Sequence, residues 1–213
     1  MLDFKHTESL ARELRMLQTT SNLTLDVLSM EFDRYVYLDS FENYSKVCGL
    51  SLDSLTMNRK LKDGYTIRAR RNVNVVLYYE DSKGTPRLNW TLAHEIGHIY
   101  LNHNNDGEIQ ELEAHQFAAE LLMPTPIITK LARKISLTPK IISKTFFVSE
   151  EAAGRKIRSL SRGGVGSSCL VKDILDKYKQ PLNDLIEYYK GQQRQLEQFN
   201  NDIHGHGNGF QFV

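Results

Sequence analysis

The chain has 213 residues, 40% apolar and 25% charged, with a formal net charge of +1. That balance suits one globular domain carrying an extension, and gives no bulk attraction to nucleic acid or to an anionic membrane. Two cysteines, Cys48 and Cys169, with no CxxC pair, exclude a disulfide framework and a cysteine-rich zinc site.

In chain order, residues 1–17 are charged throughout and lack the apolar centre of a secretory leader. No run of about 18 apolar residues follows anywhere. The expectation is therefore a soluble, cytoplasmic protein. Leu10, Leu14 and Leu17, then Leu25 and Leu28 beyond a polar break, predict one or two helices over residues 7–30. Tyr35, Val36 and Tyr37 predict a short strand within residues 32–38. Short helices are expected over 41–50 and 52–61, stopped at Gly49 and at Asp63-Gly64. Residues 65–69 and 73–79, rich in β-branched and aromatic side chains, predict a hairpin turned by Arg70, Arg71 and Asn72. A loop at 81–86 leads into a helix through Trp90 and Leu101. A second helix is expected over 108–122, closed by Pro124 and Pro126. Helical segments fill 127–161 with breaks near Pro139 and Ser149, and residues 161–168 read as a Gly/Ser linker. Val171, Ile174, Leu175, Tyr178, Leu182, Leu185, Ile186 and Tyr189 form an amphipathic helical stripe, kinked at Pro181. Residues 200–213 read as a disordered tail. These elements give an α+β, mostly helical fold with a small sheet beside the central helix. The domain spans residues 1–162: a helical N-terminal region over 1–62, the sheet and central helices over 63–125, and a helix-turn-helix-like region over 126–162. A helical extension follows over 163–199.

The central helix carries His94-Glu95-Ile96-Gly97-His98, a His-Glu-x-x-His motif. Residues four apart share a helix face, so His94 and His98 can offer two imidazole nitrogens to one Zn²⁺. Glu95 stands one step round, beside the position an attacking water would take. Leu92, Ala93, Ile96, Gly97, Ile99 and Leu101 make this helix apolar nearly all round, which places it in the interior. Buried polar groups need partners, and a metal supplies them.

A catalytic zinc takes three protein ligands and keeps a fourth position open. On the second helix, Glu113 shares a stripe with Ile109, Phe117 and Leu121, the bulkiest apolar face, and is the first choice for third ligand. Glu111, on the face of His115, Ala118 and Leu122, is the second. His103 is weaker, because the HExxHxxGxxH pattern needs Gly at 101 and His at 104, where Leu101 and Asn104 stand. The set reads as His₂Glu: His94, His98 and Glu113, with Glu95 as general base and acid in peptide hydrolysis. An oxyanion donor is expected among Tyr100, His103, His115 and Arg155.

Three blocks resemble the ImmA/IrrE family of metallopeptidases. The first runs from Gly64-Tyr65-Thr66 through the Val75–Asp81 stretch to Arg87-Leu88-Asn89-Trp90-Thr91-Leu92-Ala93-His94-Glu95-Ile96-Gly97-His98. Asn89 and Trp90 depart from the family there. The second, Glu111-Leu112-Glu113-Ala114-His115-Gln116-Phe117-Ala118-Ala119-Glu120-Leu121-Leu122-Met123-Pro124, is similar to the family's Glu-Ala-Asn-x-Phe-Ala block, with His115 in the Asn slot. The third is Phe147-Val148-Ser149-Glu150-Glu151-Ala152-Ala153. The resemblance implies a zincin-like fold, a zinc cofactor, Glu113 in the glutamate ligand's place, and a helix-turn-helix repressor as protein substrate.

The alternative is a DNA-binding or protein-binding regulator with a structural or inactive zinc site. From Lys130 to Arg162 the chain carries nine Lys/Arg against Glu150 and Glu151, and residues 139–162 read helix, turn, helix. The second of those helices opens with two acids where a phosphate would approach, so this pair is expected to pack on the core and direct nucleic-acid binding is not expected. The stripe at 169–199 is read as a partner helix, a self-association helix, or an arm laid on the core.

Overall fold

The computed structural model describes residues 3–56, 63–69, 72–105, 107–160 and 169–205, the last five by backbone alone. The end of the helix expected over 52–61, the hairpin residues Arg70 and Arg71, the linker 161–168 and the tail 206–213 lie outside the described residues.

The fold is α+β and mostly helical, of the zincin type. Helix α1 (Phe4–Leu17) is capped by Asp3, whose side chain accepts from the His6 N–H. Its buried positions, Thr7, Ala11, Leu14 and Arg15, follow helical spacing. Of the one or two helices expected over residues 7–30, α1 alone forms as an α-helix. Leu23, Leu25 and Val27 are buried at a spacing of two, so the segment runs extended, with only a 3-10 turn at Val27–Ser29. Its backbone is stitched to the central helix by the buried Asn89, which accepts from Val27 N (2.9 Å) and donates to Leu25 O (2.9 Å).

The sheet comprises β1 (Val36–Ser40), β2 (Gly64–Arg68) and β3 (Asn74–Tyr78) in the order β1-β3-β2. β1 runs parallel to β3, with Val36 opposite Asn74; β2 is antiparallel to it, with Gly64 opposite Tyr78. Between β1 and β2 lie α2 (Phe41–Cys48), stopped by Gly49 at φ 65°, and α3 (Leu52–Leu55). β3 is buried on both faces. Val76 and Tyr78 belong to the main core, while Phe41, on the helix that follows β1, is fully buried and lies ring to ring with Tyr79 at 4.7 Å.

Helix α4 (Pro86–Tyr100) is the interior helix that its composition demands, with ten of its residues buried. Thr85 caps it and Pro86 occupies its first position, where no N–H is needed. α4 packs against the sheet and against α5 (Glu108–Leu122), and α5 also packs on α1. α6 (Thr125–Ala132), α7 (Pro139–Phe146) and α8 (Glu150–Leu160) follow. α8 is tied to the core through Lys156, whose amine donates to the fully buried Glu120 at 2.8 Å. Beyond the linker, α9 (Cys169–Lys177) lies on α1 and α6, and α10 (Lys179–Gly205) starts against α6 and α9. The break falls at Tyr178. Pro181 lies in the first turn of α10, where a missing N–H costs no helical bond, so it starts a helix rather than kinking one. α10 continues through residues 200–205, the start of the stretch that composition assigns to a disordered tail. No helix among the described residues is long and apolar enough to cross a membrane.

Candidate metal centre

Two glycines set how closely the walls approach α4. A Cβ on Gly97 would stand 3.1 Å from Phe117 Cβ and 3.2 Å from Ala114 O, so the α4–α5 crossing closes only because position 97 has no side chain. A Cβ on Gly64 would stand 2.7 Å from Thr91 Cγ2, so β2 lies equally tight on the other flank. The first approach brings the start of α5 over His94 and His98. The second brings Thr66 to Glu95: its hydroxyl donates to Glu95 Oε2 at 2.6 Å.

The donor atoms form a compact triangle. His94 Nε2 and His98 Nε2 are 3.1 Å apart. Glu111 Oε2 lies 3.4 Å from His94 Nε2, and Glu111 Oε1 lies 3.4 Å from His98 Nε2. Tetrahedral zinc with bonds near 2.0–2.1 Å separates its ligand atoms by about 3.3 Å, so these three fit one face of such a shell. The two histidines are buried and Glu111 is half-buried, which leaves the remaining direction toward solvent. His115, one turn beyond Glu111, stands at that open side with its ring 4.4 Å from His94. Atoms of His94, Glu111 and His115 all lie within 4.8 Å of one another. These three could hold a metal ion, over a spread wider than the triangle.

Glu113, the first choice from the sequence, stands elsewhere. Its Oε2 is 3.2 Å from His103 Nε2, and its Oε1 accepts from Asp3 N at 3.2 Å. The stripe of bulky residues misleads at this end of α5, although further along its Phe117 does pack on Gly97. Ala114 is buried against Gly97, while Ile109 on the supposed inner stripe is 43% exposed. Glu111 and His115 flank that small-residue contact. The signal available in the sequence is the pairing of Gly97 with Ala114.

The remaining candidates separate clearly. The Tyr100 hydroxyl donates to the exposed Asp33, and burial of the ring together with that carboxylate raises its pKa well above the ordinary tyrosine range. His103 lies behind His98, Nδ1 to Nδ1 at 3.0 Å. Arg155 pairs with Glu151 at 3.1 Å and borders a cleft shared with Phe4, Trp90, Leu112 and His115. The end of α4 is fixed by two arginines that sequence reasoning misses: Arg34 donates to Ile99 O and Tyr100 O, and Arg68 to His98 O. Cations on the last carbonyls of a helix suit its dipole.

The peptidase M78 family model, described as the IrrE N-terminal-like domain, matches residues 51–158, half of the chain. The chain belongs to this peptidase family. Among curated proteins, none matches it. In this IrrE-like peptidase the matched stretch holds the donor triangle, Glu95 and Thr66. The N-terminal helix that packs on α5, and the segment that Asn89 stitches to α4, precede it.

Proposed function

We propose that the chain is a zinc-dependent endopeptidase acting on a regulatory protein, in the first instance a helix-turn-helix repressor. The observation that carries this reading is the triangle of His94, His98 and Glu111 donor atoms beside a carboxylate, Glu95, that is held in place by Thr66. The proposed ligands are His94, His98 and Glu111. Two imidazoles and one carboxylate suit zinc, and three ligands are the number a catalytic site uses.

A zinc ion bound there would act as a Lewis acid on the scissile carbonyl and lower the pKa of the attacking water. Glu95 takes the proton as the water oxygen adds to the carbonyl carbon. The same carboxyl then gives the proton to the departing amine as the C–N bond breaks, so Glu95 ends the cycle as it began. Thr66 holds the Glu95 carboxylate in place through Oε2. His115, on the solvent side, is placed to donate to the developing oxyanion. The cleft lined by Phe4, Trp90 and Leu112 with Arg155 at its edge adjoins His115 and suits a substrate side chain that is apolar near the site.

The deciding experiment incubates zinc-loaded protein, and a Glu95→Gln control, with the repressor encoded beside it. Discrete cleavage by the parent alone supports the proposal; identical behaviour of the two proteins removes peptidase activity toward that substrate. The approach of His115 gives a second reading some footing, since a fourth protein donor would close the site and make the metal structural. His115→Ala separates them. A catalytic site keeps its zinc and loses rate, whereas a closed structural site releases the metal.

A further inference from the structure

Glu113 and His103 are buried or half-buried, are not needed for the donor triangle, and yet stand in line behind it. The end of α4 explains how. Asn102 adopts the left-handed conformation (φ 55°); its N–H bonds Ile99 O at 3.2 Å, and the next N–H, of His103, bonds His98 O at 3.0 Å. This is a Schellman stop, which folds the residue after the turn back over the third residue from the helix end. Such stops bring two apolar side chains together. Here they bring together two imidazoles, His103 and His98, whose Nδ1 atoms are 3.0 Å apart.

Two Nδ1 atoms at that distance can bond only if one carries a proton and the other does not. With both rings neutral, two arrangements are open. If His103 Nδ1 donates, His98 keeps its proton on Nε2, pointed into the donor triangle where a cation would sit. His103 Nε2 would then face Glu113 Oε2, 3.2 Å away, lone pair against carboxylate. If His98 Nδ1 donates, His98 Nε2 presents its lone pair on the ligand face. His103 Nε2 then carries a proton and gives it to Glu113 in a hydrogen bond. Of these two, only the second avoids setting a lone pair against the Glu113 carboxylate. Glu113, an acceptor alone when ionised, selects it, and the Asp3 N–H on its other oxygen holds it in place.

We propose that His103 and Glu113 are positioning residues that lock His98 in the Nδ1–H tautomer and aim its Nε2 at the metal position, with the N-terminal backbone at Asp3 as the anchor. The inference rests on the ligand set proposed above and assigns Glu113 a role as partner of a ligand's partner. Groups that orient a ligating imidazole typically change metal affinity about 10–100-fold when removed.

The test uses the full chain. Zinc affinity is measured by chelator competition for the parent, Glu113→Gln, His103→Leu, His103→Gln and Glu111→Gln, with circular dichroism to confirm folding. In parallel, the tautomer of His98 in the metal-free protein is read from imidazole ¹⁵N shifts. Expected are an Nδ1–H tautomer in the parent and a mixture in Glu113→Gln. Zinc affinity falls about 10–100-fold in Glu113→Gln and His103→Leu. It returns to within a few-fold in His103→Gln, whose amide can accept from His98 and donate to Glu113. Glu111→Gln loses more than either. Unchanged affinity in both Glu113→Gln and His103→Leu, alongside loss in Glu111→Gln, overturns the relay and leaves the ligand set standing. Retained zinc in Glu111→Gln with loss in Glu113→Gln overturns both. If the parent binds no zinc, the ligand set fails, and an Nε2–H tautomer of His98 in the metal-free protein overturns the relay by itself.

Discussion

At the residue scale, two glutamates of α5 stand in different surroundings. Glu111 faces the two histidines, and nine residues later Glu120 faces none of them. It is fully buried and holds Arg12 (2.6 Å), Lys156 (2.8 Å) and the backbone N–H of Thr125 (2.9 Å). Burial alone would raise its pKa; the charges of Lys156 and Arg12, with their hydrogen bonds, outweigh this and hold it below the ordinary carboxylate range. Its contribution to stability is therefore complete above the unfolded carboxyl pKa and is lost as pH falls through the lower folded value. Glu120→Gln leaves two cations short of a partner and should cost about 3 kcal/mol near neutral pH. Denaturant unfolding as a function of pH checks this: the gap between parent and variant should narrow in acid, and a constant gap would count against an ionised Glu120. For the metal site, Glu95→Gln should keep zinc and lose turnover by several orders of magnitude, measured by metal content and peptide cleavage on the same sample.

At the element scale, the active geometry depends on how two helices cross. α4 presents His94, Glu95 and His98, and α5 presents Glu111 and His115, but only the side-chain-free surface at Gly97 lets the second set reach the first. Gly97→Ala must push against Phe117 Cβ and the Ala114 carbonyl. It should destabilise the fold by about 1–3 kcal/mol and, on the proposed ligand set, weaken zinc binding further, because Glu111 lies on α5. Thermal unfolding with and without zinc reads both. A variant as stable as the parent with unchanged zinc affinity would show that the crossing does not set the site. The α7–α8 pair, helix-turn-helix-like in sequence, commits one face inward: Ile142, Phe146, Ala152 and Ala153 are buried, and Lys156 is spent on Glu120.

At the scale of the whole molecule, the packed unit is wider than the stretch that marks the family. The N-terminal helix underlies α5, and its Arg15, fully buried, donates to the carbonyls of Leu121 and Leu23 at 2.7 Å. The Arg15 guanidinium also lies over the ring of Tyr178, at the end of α9. Lys177 donates to Met16 O at 3.0 Å and to Gln18 O, closing the end of α1. Ile174, Tyr178, Leu182 and Ile186 are buried on this side. The beginning of the C-terminal stripe is thus an arm laid on the core. Further out, Leu196 and Phe199 of α10 are each 63% exposed. Truncation at residue 168 removes four buried apolar side chains, each contributing about 1.5–3 kcal/mol, and should lower the melting temperature by about 10 °C or more. Calorimetry of the shortened chain decides it, and an unchanged transition would make the arm dispensable.

The sequence by itself determined whatever is local. The His94–His98 spacing, the bounds of α5, the hairpin strands and the breaks at Pro139 and Ser149 all follow from periodicity, caps and prolines, which act within a few residues. The donor pair and Glu95 were legible for the same reason, since one helical turn fixes them. Only the tertiary structure decided which glutamate meets that pair. The choice between Glu111 and Glu113 depends on the rotation of α5 about its own axis at the crossing, where Gly97 of α4 meets Phe117 and the Ala114 carbonyl, and the apolar stripe of one helix taken alone does not fix that rotation. It also decided that residues 23–30 form no α-helix and only a 3-10 turn at Val27–Ser29. There the buried Asn89, more than sixty positions away in sequence, supplies the backbone partners that a helix would otherwise have provided.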